Sequence, residues 1–177
     1  KTLVLNTKIE SFKSVNNLGM VIAIPTAFNT DISPGDTIVV HHNIFRRFYD
    51  MKGREKNSRS YFKEDLYFCS IDQIYLYKKD DKWLSCMDRC FVKPILETDM
   101  LSVDKEKPLI GIVKYDNRYL NKLGVKTNML VTFAPNSEFE FIVNNERLYC
   151  MKSNNIAIEH ERKGNEKEYN PSWADCS

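Results

Sequence analysis

Apolar and polar residues alternate along most of this chain in short runs that stop at Gly, Pro, Asn or Asp. Runs rich in Val, Ile, Tyr and Phe cover 19–24, 37–41, 65–70, 74–78, 90–95, 110–114, 129–133, 139–143, 147–151 and 156–159. Each has the length and composition of a β-strand bounded by turn residues. No stretch combines a 3.6-residue apolar period with capping residues, so no amphipathic helix is expected. Closely spaced short strands of this kind predict an all-β protein, either a sandwich or small barrels.

The runs also follow one order twice. Gly19-Met-Val-Ile-Ala-Ile is followed by Ile32-Ser-Pro-Gly-Asp-Thr-Ile-Val-Val, a long polar loop, and Lys63-Glu-Asp-Leu-Tyr-Phe-Cys-Ser-Ile-Asp-Gln-Ile. Gly111-Ile-Val-Lys-Tyr is followed by Leu123-Gly-Val-Lys-Thr-Asn-Met-Leu-Val-Thr-Phe, a shorter loop, and Asn144-Asn-Glu-Arg-Leu-Tyr-Cys-Met-Lys-Ser-Asn-Asn-Ile. Ser33–Asp36 and Val125–Asn128 read as tight turns feeding a strand. In the first, Pro34 presets its backbone angle and Gly35 can take a positive one. Two units are expected, 1–86 and 87–160, each with an equivalent core, followed by a tail over 161–177.

This ordered set resembles the GroES-type co-chaperonin family. There, an Arg-Val-x-Val-Lys-Pro strand precedes a flexible loop, a Gly-x-Val strand, a Val-Lys-x-Gly-Asp-x-Val turn, a roof hairpin, a strand ending in Tyr, and a last strand after Asp-Ile. The second half matches with Asp88-Arg-Cys-Phe-Val-Lys-Pro94, Gly111-Ile-Val113, Val125-Lys-Thr-Asn128, Glu146-Arg-Leu-Tyr149 and Asn155-Ile156. The first half matches with Gly19 to Val21, Ser33 to Asp36, Glu64 to Phe68 and Asp72 to Ile74. It departs by lacking the opening strand, as expected if residues precede Lys1. The second turn departs by carrying Thr127-Asn128 where Gly-Asp is usual, and Asn tolerates the left-handed region nearly as well as Gly.

The resemblance implies two tandem GroES-like β-barrels with a roof hairpin and a flexible loop, and a co-chaperonin that caps a GroEL-type chaperonin ring. Such a protein binds through a mobile apolar triplet that orders on contact. Leu3, Val4 and Leu5 lie where that loop belongs, and Met100 and Leu101 occupy the equivalent place in the second unit. Residues 44–61 fall at the roof, so Phe45, Phe48, Tyr49 and Tyr61, with Phe62 beside them, are expected to line a dome. Copies are expected to self-associate into a ring through open strand edges. The ring partner hydrolyses ATP, so neither a catalytic residue nor a cofactor is expected in this chain. The alternative is a structural or virion decoration protein that uses the same units to form a ring.

Composition narrows the classes further. A formal net charge of +2 makes no case for a dedicated nucleic-acid or membrane binder. The basic stretch from Arg46 to Arg59 is interrupted by Asp50 and Glu55 and reads as a solvated loop rather than a base-stacking surface. Five cysteines without a repeated close pair fit reduced thiols in a cytoplasmic protein, and Cys86 and Cys90 lack a second pair to complete a zinc site. His41 and His42, as neighbours on a strand, are expected to point to opposite faces. No dinucleotide-binding fingerprint follows the repeat, which argues against a dehydrogenase. No signal segment or membrane span is legible. Abundant Asn, Lys, Ile and Tyr fit an AT-rich genome such as a phage's. The charged stretch 161–177 is expected either to hang free or to dock through Trp173 beside Pro171.

Overall fold

The structure, a computed structural model, describes residues 18–27, 29–97 and 105–174. It is mostly β, as the alternating pattern predicts. Before Cys86, strands β1 (Leu18–Met20), β2 (Thr37–Val40), β7 (Ile74–Lys79) and β8 (Lys82–Ser85) form an antiparallel sheet in the order β1-β2-β7-β8. Between β2 and β7 stand two small hairpins, β3 (Arg47–Tyr49) with β4 (Glu55–Asn57) and β5 (Tyr61–Lys63) with β6 (Leu66–Tyr67). After Cys86, β9 (Arg89–Leu96), β10 (Glu106–Tyr115), β11 (Leu130–Phe133), β12 (Phe139–Val143), β13 (Glu146–Lys152) and β14 (Ile156–His160) form a second sheet, β12-β13-β9-β10-β11-β14. Among the described residues neither sheet closes into the barrel expected from the sequence. No helix among them is long and apolar enough to cross a membrane.

One pairing scheme occurs in both halves. β1-β2-β7 and β10-β11-β14 are antiparallel trios in which Gly19 faces Ile38 and Gly111 faces Val131. In each, the third strand slips at the same point, so that Val40 meets Ile74 and Phe133 meets Ile156. A 3-10 turn enters that strand both times, Ile71–Gln73 and Ser153–Asn155, and its last carbonyl accepts from the residue just past the middle strand, His41 N at 2.9 Å and Ala134 N at 2.8 Å. The turns match as well. Gly35 N donates to Val21 O at 2.8 Å and Asn128 N to Val113 O at 2.8 Å. Gly35 has φ +95° and Asn128 φ +72°, so Asn128 stands at the glycine's place and Met129 follows where Asp36 does. Asparagine is among the few side chains that hold this left-handed conformation cheaply.

Matching positions fill matching cores. Ile38, Val40 and Ile74, with Val21 against them, form the apolar cluster of the first sheet together with Ile32, Ile44, Tyr77 and Cys86. Val113, Val131 and Phe133, with Ile156 against them, do so in the second, with Cys90, Val92 and Met151. A third cluster belongs to both sheets: Val39, Tyr75 and Leu76 pack with Phe91, Phe141, Leu148 and Cys150. Leu76 and Phe91 are fully buried there, each contributing about 2–3 kcal/mol by leaving water. The two halves therefore share a seam.

Two expectations are corrected, and one open alternative is narrowed. A one-turn helix, α1 (Arg118–Lys122), follows β10; Asn117 caps it by accepting from Leu120 N at 2.9 Å and in turn donates to Ser153 Oγ at 2.6 Å. His41 and His42 do not point to opposite faces, because the strand ends at Val40 and the chain turns into a 3-10 helix at His42–Ile44. Their rings stack at 4.4 Å. Of the two alternatives for the stretch after His160, hanging free or docking, docking holds for part of it. Leu96 N donates to Lys167 O at 2.8 Å and Tyr169 N to Pro94 O at 2.8 Å, seating 167–169 beside β9 where β13 no longer pairs with it.

Candidate interaction surface

The insert between β2 and β7 carries the residues that the sequence assigns to a roof. Its base is fixed by burial: Ile44 is 1% exposed, and its carbonyl accepts a short hydrogen bond from Ser58 Oγ across the insert. Phe45 is half-buried and packs on the first-sheet core. Its ring stands so close to Gly19 that a Cβ there would meet Phe45 Cζ at 3.2 Å. Phe45 meets Tyr67 edge-on at 4.9 Å, and Tyr67 meets Tyr61 at 5.6 Å. These three rings form an inner edge-to-face cluster that ties the second hairpin to the body.

The first hairpin is shaped by its turn. Asp50 accepts from Lys52 N at 2.8 Å and Arg54 N at 2.9 Å, and also from Arg54 Nε at 3.0 Å. These bonds, the one from the Arg54 amide first, hold its carboxyl below the usual carboxylate range. Directly paired residues share a face of a hairpin. Arg47, paired with Asn57, and Glu55 therefore lie on one face, and they line a cleft of about 280 Å³ with Tyr61, Glu64 and Tyr67. Phe48, paired with Lys56, lies on the other face.

In the second hairpin Tyr61 and Tyr67 face the cleft and Phe62 and Phe68 alternate away from it. Phe62 and Phe68 contact each other at 5.0 Å while remaining 56% and 67% exposed, and the Lys63 ammonium lies 5.7 Å from the Phe62 ring. Of the expected roof residues, Phe48 and Tyr49 stand in solvent, Tyr61 is half in the cleft, and Phe45 is an anchor. Phe68 was missed, because its place in an apolar run reads as core. Leu3, Val4 and Leu5, and likewise Met100 and Leu101, lie outside the described residues.

A second polar cluster lies on the other sheet. Lys93 Nζ, on a side chain 7% exposed, sits 3.0 Å from Glu146 and 2.6 Å from Glu168 of the segment beside β9. Glu146 also meets Lys114 at 3.0 Å. Burial works to raise the Glu146 carboxyl, but bonds from Lys114 and Lys93 outweigh it and keep the group ionised below its ordinary range. Tyr149 donates to Glu106 at 2.7 Å, and burial followed by that bond pushes its phenol upward.

The thiols are quiet. Burial raises Cys86 to about 11 and Cys90 to about 12, where thiolate is scarce at neutral pH. Among the described residues no group of three His, Cys, Asp or Glu is arranged to hold a metal ion. No family model, curated protein or solved structure matches the chain.

Proposed function

We propose that this chain is a co-chaperonin, a non-enzymatic lid of GroES-type units that caps a chaperonin ring and assists ATP-dependent folding. The observation that carries this reading is the pairing scheme met in both halves, down to the slip at Val40 and Phe133 and the left-handed residue at Gly35 and Asn128. It is the structural counterpart of the ordered motifs on which the family resemblance rests, and it supports a duplicated unit. The hairpin insert with exposed aromatics supports a roof over an enclosed client. In this reading Leu3, Val4 and Leu5 grip the chaperonin, Met100 and Leu101 give a second contact, and the site of action is the cytoplasm, the host's if the chain is phage-encoded. Met20, Ile22 and Ile24, exposed at alternate positions along and beyond β1, favour assembly of several copies into a ring.

The test mixes the full chain with a GroEL-type chaperonin and ATP and resolves the products by native electrophoresis. A co-migrating complex is expected, lost when Leu3→Ser, Val4→Ser and Leu5→Ser are combined. A complex unchanged by the triple substitution refutes the contact. Ring assembly without any complex favours the virion-protein alternative, which the same exposed β1 row would serve.

A further inference from the structure

We infer that the hairpin insert is a docking surface for acidic polypeptide segments that carry aromatic or aliphatic side chains. Between residues 44 and 68, seven lysines and arginines face four aspartates and glutamates, a surplus of three, while the whole chain nets +2. The insert thus holds more positive charge than the molecule as a whole, and the remainder is slightly negative. Part of this charge is neutralised internally, Arg54 by Asp50 at 3.0 Å and Arg47 by Glu55 at 3.7 Å. Lys52, Lys56 and Arg59 are exposed and have no carboxylate partner among the described residues.

Apolar groups accompany those cations. On the face of the first hairpin turned from the cleft, Phe48 is the direct cross-strand neighbour of Lys56. On the corresponding face of the second, Phe62 and Phe68 form an exposed two-ring platform with the Lys63 ammonium against it. Each hairpin therefore presents phenylalanine and an ammonium together. Exposed rings of this size lose free energy in water that a partner's apolar side chain would recover, while the surrounding cations select carboxylates and accelerate encounter. The acids Glu55, Glu64 and Asp65 line the cleft on the opposite faces, which leaves the carboxylate-binding role to the outward faces. That the partner is a client under a lid rests on the proposed function; the surface itself does not.

The experiment measures fluorescence anisotropy of a short labelled peptide of glutamates with two phenylalanines, titrated with the full chain. The comparison probes are the same peptide with lysine for glutamate, a glutamate-only peptide, and an oligothymidine strand. Tightest binding is expected for the glutamate–phenylalanine peptide, weakening with salt. Roughly tenfold loss is expected with Phe62→Ser plus Phe68→Ser, and similarly with Lys56→Glu, Arg59→Glu and Lys63→Glu combined. The salt titration of the unaltered chain guards against a variant that misfolds. Equal binding of the lysine peptide, tighter binding of the oligothymidine, or no binding overturns the inference. If the chaperonin complex forms but the peptide does not bind, this inference alone falls. If the peptide binds without a complex, the lid reading falls and the surface stands.

Discussion

Gly19 and Gly111 hold the same place in the two strand trios, yet their surroundings differ. A Cβ on Gly111 would meet Val92 Cγ1 at 2.5 Å and Lys93 O at 2.6 Å, so backbone would have to move, whereas on Gly19 the one tight approach is to the Phe45 ring rim at 3.2 Å, with Ile38 at ordinary contact distance. Gly111→Ala is expected to cost about 3 kcal/mol and Gly19→Ala about 1 kcal/mol or less, measured by urea unfolding. Similar costs for both would remove the backbone-crowding account. At Asn128, replacement by Ala should cost about 1 kcal/mol because of its left-handed φ, while Asn128→Gly should be close to neutral. The preference of a positive-φ turn for Gly or Asn was legible beforehand, but its register was not: the motif puts Thr127 at the glycine's place, and the fold puts Asn128 there. The histidine stack was not legible either, because nothing in Val-Val-His-His says where extended backbone gives way to a 3-10 turn.

Elements were legible in proportion to how much apolar surface they bury. All ten apolar runs contain strand, since alternation records burial on one face. β4, whose sequence Glu55-Lys-Asn57 is wholly exposed, owes its existence to the Asp50 turn rather than to any buried face, and so left no periodic trace. α1 was hidden by its length, and β8 by exposed lysine and leucine at alternate positions. The segment beside β9 is charged and reads as solvated; its attachment depends on Lys93, whose need for carboxylates only the fold reveals. Because Glu168 is partly exposed and Lys93 keeps Glu146, Glu168→Ala should lower stability by only about 1 kcal/mol. It should also speed hydrogen exchange at the Leu96 amide, which donates to Lys167 O, while leaving Val113, which donates to Met129 O, protected. Unaltered exchange at Leu96 would show that the segment is held by something else.

Across the whole molecule, the least foreseeable feature is the seam between sheets, because contact between the halves is a matter of tertiary arrangement and not of local pattern. His42 stacks on Phe139 at 6.4 Å and His41 on Tyr75 at 6.1 Å, with the Arg89 guanidinium 4.4 Å from the Tyr75 ring. Burial lowers both histidines from the ordinary value of 6.5, with Arg89 adding to the effect at His41, and His41 and Arg46 at His42. Below pH 6.5 the unfolded chain takes up protons that the folded one refuses, so stability falls as the pH drops from there toward the lowered folded values. Glu146 has the opposite sign of charge but the same outcome at lower pH: its stabilising contribution is present above 4.5 and is lost as the pH falls through its depressed value. Melting temperature should accordingly decline in two stages between pH 8 and pH 3, and His41→Gln should flatten the first. A single decline confined to the carboxylate range would show the histidines are not coupled to folding.

Residues 167–169 complete the ladder of a strand made much earlier in synthesis. A nascent chain that has just released β9 from the ribosome holds the Leu96 amide and the Pro94 carbonyl without their final partners until Lys167 and Tyr169 have also emerged. The second sheet is thus assembled around a gap that translation fills late, and a stalled or shortened product would carry an unfinished β9 edge open to pairing with other chains.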